Sequence, residues 1–145
     1  MPKIKRTRVT QPIGSDNQRP LRRALIRESA RWIAQRRWHT FATLTFETEV
    51  DEPAAAKEFE RYVRRLEQRS LGRVSYFAVA AKSPVFGRVH LHAVLGFTRQ
   101  PPAIAYRKAW LAGLAKINCY EEERGGYQYI ATHVTIPGAE ILLCP

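Results

Sequence analysis

The stretch Gly87-Arg88-Val89-His90-Leu91-His92-Ala93-Val94-Leu95-Gly96-Phe97 decides the fold. It alternates, is rich in Val and Leu, and is bounded by glycines, which is the pattern of a β-strand. Side chains alternate between strand faces. Arg88, His90, His92 and Val94 therefore share one face, and Val89, Leu91, Ala93 and Leu95 share the other. Two imidazoles stand side by side on one rigid element. Neutral imidazole is the commonest protein metal ligand, and two on one strand face make half a site. The plainer alternative is a half-exposed pair that binds nothing, and the rest of the chain weighs between the two.

Working outward, residues 73–81 alternate as a second strand, and Lys82-Ser83-Pro84 is the turn between them. The two strands are expected to pair as an antiparallel hairpin. Residues 39–46 are β-branched and aromatic throughout and read as another strand. Its faces carry Ala42, Leu44 and Phe46 on one side and Phe41, Thr43 and Thr45 on the other. Pro53 suits a helix start, and Phe59, Tyr62, Val63 and Leu66 at i, i+3, i+4 and i+7 make an amphipathic helix ending near Gly72. An earlier helix is expected over 21–37, with Leu21, Leu25, Trp32 and Ile33 inward and Arg22, Arg23, Arg27, Arg31, Arg36 and Arg37 around them. That basic face either grips phosphates or is simply solvated.

Residues 1–19 read as a basic flexible arm, leaving 20–145 as one folded domain. Downstream, Pro101 and Pro102 open a helix expected to bury Ile104, Trp110, Leu111, Leu114 and Ile117. The acidic run Glu121-Glu122-Glu123 and the pair Gly125-Gly126 form a loop. A short helix over 127–134 follows, and Glu140–Leu143 is expected as a last edge strand. Helices interrupting a mainly antiparallel sheet argue an α+β fold with helices packed mainly on one face.

The charge narrows the function. In 145 residues, 24 Lys and Arg stand against 13 Asp and Glu, a net charge of +11. Such a chain repels itself unless it meets a polyanion, and nucleic acid is the default partner. A membrane surface is disfavoured because the basic residues are spread through the whole fold. No apolar run reaches the roughly 20 residues of a membrane span. The first residues lack a secretory apolar region, so a cytoplasmic location is expected. Cys119 and Cys144 show no metal-type spacing and would be kept reduced there, although a disulfide between them stays open.

The chemistry gathers in Gly125-Gly126-Tyr127-Gln128-Tyr129-Ile130-Ala131-Thr132-His133. On a helix, Tyr129 and His133 are i and i+4 and lie on one face. One short helix then offers a phenol and a third imidazole to a metal held by His90 and His92. Two ligands from a strand and one from a helix, with positions left open, is a catalytic rather than a closed structural arrangement. A divalent ion there polarises a phosphodiester, and Tyr129 is the candidate nucleophile. Taken alone, Tyr129 reads rather as an amphipathic anchor of the helix than as a nucleophile. Tyr127 points away from Tyr129 and is assigned to packing.

Three runs together resemble the HUH endonucleases of rolling-circle replication initiator (Rep) type. Phe41-Ala42-Thr43-Leu44-Thr45-Phe46 is similar to their first strand motif. Gly87-Arg88-Val89-His90-Leu91-His92 is similar to their His-hydrophobic-His motif, and Tyr129-Ile130-Ala131-Thr132-His133-Val134-Thr135 to their tyrosine motif. The resemblance implies a ferredoxin-like antiparallel sheet and binding of single-stranded or hairpin DNA at an origin. It implies Mg²⁺ or Mn²⁺ on His90 and His92, and nicking by Tyr129 to leave a 5′-phosphotyrosine and a free 3′-OH. Candidate nucleic-acid contacts are Arg88, Thr43 and Thr45 within these runs, the cation Lys82, and Arg36 and Arg37 at the end of the first helix. A chain of this length is expected to rely on a separate helicase.

Two positions depart from that pattern. Replication initiators usually carry an acid eight residues before the first histidine, where Lys82 stands, and a lysine three residues after the tyrosine, where Thr132 stands. His133 is the preferred substitute for the missing acid, as in the single-strand transposases of the superfamily; Glu121, Glu122 or Glu123 is the weaker candidate. The competing readings are an HUH transposase or relaxase, a non-cutting single-strand binding module with Phe41, Tyr76 or Phe77 as base platforms, and a basic scaffold with structural histidines.

Overall fold

In the computed structural model, which describes residues 5–8 and 19–144, the chain runs β1 (Lys5–Arg8), α1 (Arg19–Ala34), β2 (Thr40–Leu44), α2 (Glu52–Ser70) and β3 (Val74–Lys82). It continues through β4 (Val89–Phe97), α3 (Ala103–Ala109), β5 (Ala115–Cys119), α4 (Gly126–His133) and β6 (Glu140–Leu143). The strands form one sheet in the order β1-β6-β3-β4-β2-β5. Every pairing in it is antiparallel. The expected hairpin is present, with Lys82 opposite Val89 and Val74 opposite Phe97. Within the sheet, β2-α2-β3-β4-α3-β5 is a split βαβ unit of ferredoxin-like form, as expected.

The alternation along β4 sorts the core into two layers. Val89, Leu91, Ala93, Leu95 and Phe97 pack with Phe59, Tyr62 and Leu66 of α2 and with Tyr106 and Ala109 of α3. Val94, with Phe77, Val79 and Ala81 of β3, packs on the other face against Ile33 of α1 and Ile130 and Val134 of α4. Helices mainly on one face therefore describes only the ferredoxin-like unit. The pairs α2–α3 and α1–α4 cover opposite faces, because both faces of β3 and β4 are apolar and each needs a cover.

Helix α2 follows its sequence signals. The Asp51 carboxylate accepts the Ala54 N–H at 2.8 Å, Pro53 sits in the first turn, and Leu71 closes the end in left-handed conformation at φ 56°. Three of its arginines are answered on the same helix or its neighbour. Arg61 pairs with Glu58, Arg64 with Glu60 at 3.9 Å, and Arg65 donates to the Ala109 carbonyl at 3.2 Å. Phe59 is fully buried, edge-on to Tyr76 at 5.4 Å between ring centroids. Phe59→Ala is expected to lower stability by about 3–5 kcal/mol, read as a drop in the urea midpoint.

Three expectations about elements give way. The helix expected to run on to Ile117 stops at Ala109, and residues 115–119 instead form an edge strand beside β2. The Trp110 indole N–H donates to the Thr45 carbonyl at 2.9 Å, and a Cβ on Gly113 would meet that same carbonyl oxygen at 2.2 Å. Close approach of the backbone to β2 overrides the helical spacing, and Ile104, Leu111 and Leu114 stay exposed. β6 lies between β1 and β3 rather than at an edge. Most of the arm expected over 1–19 lies outside the described residues; its described part, Lys5–Arg8, is the strand that covers β6, and Arg19 begins α1. Leu21, expected inward on α1, is exposed.

Cys119 ends β5 and Cys144 follows β6, both as free thiols. Four strand spacings of about 4.8 Å separate their strands, well beyond the roughly 7 Å that a disulfide spans. Among the described residues no helix is long and apolar enough to cross a membrane.

Candidate active site

The site is built where α4 crosses the polar end of one sheet face. His90 and His92 stand on that face of β4. Opposite them on β3 are Ala81 and Val79, and opposite His92 on β2 is Thr43. Ile130 and Val134 anchor α4 to the core beneath it. Gly126 lets the helix start against Phe41, where a Cβ would come within 3.1 Å of the ring. From behind, the Arg22 guanidinium donates to the Thr135 hydroxyl at 3.2 Å, tying α1 to the end of α4.

This packing turns the outer face of α4 onto the two strand histidines. Ring centroids of His90 and His92 are 4.6 Å apart, those of His92 and His133 4.6 Å, and those of His90 and His133 6.2 Å. One nitrogen from each of the three lies within 4.8 Å of the others. Tyr129 lies one turn before His133, the rings tilted by 56° with centroids 4.6 Å apart, and stands edge-on to His92 at 5.1 Å. Its ring is backed by Phe41 at 6.3 Å, yet Tyr129 is 51% exposed. The phenol thus borders both the imidazoles and solvent.

The Nδ1 atoms are engaged by the protein. His133 Nδ1 lies 2.7 Å from the Tyr129 carbonyl, and His90 Nδ1 3.4 Å from the Arg88 carbonyl. A carbonyl only accepts, so each Nδ1 carries the proton and Nε2 keeps its lone pair. His92 Nδ1 lies 3.3 Å from the Thr43 hydroxyl. Its Nε2 is buried without a hydrogen-bond partner. A buried polar atom left open calls for an unseen partner, and the other two imidazoles show which kind. Burial, with His90 and His133 adding, pushes His92 down to about 3. His90 is lowered too, chiefly by burial, with the Arg88 carbonyl opposing and His133 adding. The residues fit a divalent cation: three imidazoles each offer one ring nitrogen to a common point, with the buried His92 Nε2 lacking any other partner.

The other expected residues are dispersed. Arg88 is exposed two residues before His90, and its guanidinium reaches the Phe46 carbonyl at 3.4 Å. Thr45 is exposed and donates to the Leu114 carbonyl at 3.3 Å. Lys82 is exposed but pairs with Val89, so it belongs to the opposite face from His90, whose facing residue is Ala81. It does not oppose a metal there. Arg36 lies over the Trp32 ring at 3.5 Å, and the Arg37 carbonyl lies against Gly96, at the far end of β4 from His90. Both stand away from the imidazole cluster.

Thr132 donates to the Tyr129 carbonyl at 2.6 Å. Tyr127 packs into the core under α4, as assigned. Glu121, Glu122 and Glu123 are exposed and stand apart from the imidazole cluster, the one such cluster among the described residues. Tyr76 and Phe77 are buried and offer no base platform. The hold of Thr43 on His92 and the backing of Tyr129 by Phe41 depend on the β2–β4 register and the seat of α4. The motif placed both residues on the right face without showing either contact.

A ferredoxin-like sheet with two imidazoles on a strand and a third on a tyrosine-bearing helix above them defines an α+β domain equipped to bind a metal ion. Residues 39–135, from the edge of β2 to just past α4, match the family model described as replication-associated protein ORF2/G2P, and the chain belongs to that family. No curated protein and no solved structure matches it significantly.

Proposed function

We propose that this chain is a tyrosine nuclease of the HUH Rep type, which nicks and rejoins single-stranded or hairpin DNA at an origin to start rolling-circle replication. The observation that carries this reading is the contact of the Tyr129 ring with those of His133 and His92, at 4.6 and 5.1 Å between centroids, which sets a solvent-reachable phenol beside three metal-competent imidazoles.

His90, His92 and His133 would hold a divalent cation, whose role is to neutralise charge on the non-bridging phosphate oxygens and on the leaving 3′-oxygen. All-imidazole ligation favours Mn²⁺ over Mg²⁺, which prefers oxygen ligands. The Tyr129 phenol oxygen attacks the phosphorus and loses its proton to solvent. The bond from phosphorus to the 3′-oxygen breaks, that oxygen takes up a proton, and the 5′-phosphate stays on Tyr129. Attack by a 3′-OH on the phosphotyrosine reverses the step and reseals the strand. Unwinding falls to a separate helicase, and the setting is the cytoplasm.

The direct test is a denaturing gel of the chain incubated with a pool of random and hairpin single-stranded DNA and Mn²⁺. A covalent protein–DNA adduct that disappears with chelator is expected. Tight, salt-sensitive binding with no adduct across the pool would instead assign a binding module that does not cut.

A further inference from the structure

The β3–β4 turn carries a feature that the nicking reaction does not use. Val85 and Phe86 are 79% and 81% exposed at its tip. Single exposed apolar residues are ordinary, but these two are adjacent and are held out by an ordered turn. The Ser83 hydroxyl accepts the amides of Val85 and Phe86, each at 3.3 Å. The Ser83 N–H donates to the Arg88 carbonyl at 2.8 Å, and the Gly87 N–H to the Ser83 carbonyl at 2.9 Å. Gly87 adopts φ 67°, a conformation that L side chains rarely enter. The turn is therefore braced across its base, with the aromatic ring outside.

Its surroundings name the partner. Exposed Lys82 and Arg88 flank the tip. No acidic residue stands anywhere between Glu67 and Glu121, a span that includes the whole hairpin. An aromatic ring between cations, on a chain of net charge +11, suits a polyanion that also has flat apolar faces. Phe86 is four residues from His90, so the two lie within about 14 Å along the chain.

We propose that the β3–β4 turn is a base-stacking finger for single-stranded DNA, with Phe86 stacked on an unpaired base and Lys82 and Arg88 on the flanking phosphates. The inference rests on the nuclease reading for its choice of DNA over another polyanion. It adds a contact outside the imidazole–tyrosine site, one that steadies the strand beside the point of cleavage.

The test is fluorescence anisotropy of the full chain with a fluorescein-labelled oligothymidylate, in chelator so that no cutting occurs. Phe86→Ala is expected to weaken binding about tenfold, the effect of removing one aromatic platform. Phe86→Tyr should bind as the parent does, and Phe86→Ala should leave the salt slope unchanged. Lys82→Ala should instead lower the slope of log K against log salt by about 0.7, the loss of one phosphate contact. Parent-like binding by Phe86→Ala would overturn the finger, as would failure of the parent to bind the oligonucleotide. So would a chain whose self-association, rather than its DNA binding, is lost with Phe86. The outcomes separate from those of the nuclease test. An adduct that forms normally with Phe86→Ala, together with unchanged affinity, removes the finger alone. Phe86-dependent binding with no adduct removes the nuclease and keeps the finger.

Discussion

Tyr129→Phe is expected to abolish the covalent adduct with single-stranded DNA while leaving the fold and the affinity for DNA as they are. The substitution removes one oxygen from a ring that is half exposed, and the contacts to Phe41, His92 and His133 are contacts of the ring itself. No core packing is disturbed. The nucleophile is lost outright, and the rate of adduct formation should fall on the order of 10⁴-fold or more, as when a covalent catalyst loses its attacking atom. Tyr127→Phe is the matched control. Tyr127 is half-buried and packs against the core beneath α4, away from the imidazoles, so its hydroxyl should not matter to the adduct. An adduct that survives Tyr129→Phe and disappears with Tyr127→Phe would move the chemistry to the other tyrosine and refute the assignment.

His133→Ala should be the second large effect. His90 and His92 supply two ligands from one strand, and the third comes only because α4 lies across them. Removing it is expected to weaken Mn²⁺ binding by more than about 100-fold, since changes outside the ligand shell alone cost about 10–100-fold. Thr43→Val tests that lesser class. It takes the hydroxyl from His92 Nδ1, at 3.3 Å, without touching a ligand. Titration calorimetry with Mn²⁺ reads both variants. His133→Ala binding Mn²⁺ as tightly as the parent would remove His133 from the ligand set and leave the two strand histidines as a bare pair.

The missing acid takes on a different meaning once the register is known. The positions on β3 that face His90 and His92 are Ala81 and Val79, both small enough to leave the space above the histidines open to α4. On the nuclease reading proposed above, an imidazole from the helix takes the place of an acid there. Lys82, which by count stands in the acid's place, belongs to the other face of the strand and is available to the turn beside it.

Local patterning by itself determined the strand identity of β2, β3 and β4, the face that His90 and His92 share, the helical phase of Tyr129 and His133, and the buried stripe of helix α2. Each of these follows from a period of two or of 3.6 residues and from turn chemistry within a few positions. What lies between elements was decided only by tertiary structure. The edge strand β5 forms because the backbone at Gly113 closes against Thr45, at the expense of a helical apolar spacing that would otherwise bury Leu111 and Leu114. The second helical layer forms because both faces of β3 and β4 are apolar, and α1 and α4 are the remaining cover. The meeting of His133 with His90 and His92, residues distant in the chain, required that cover to be in place. Sequence spacing sets which way a side chain points along its own element, whereas the distance across the site is set by how elements pack.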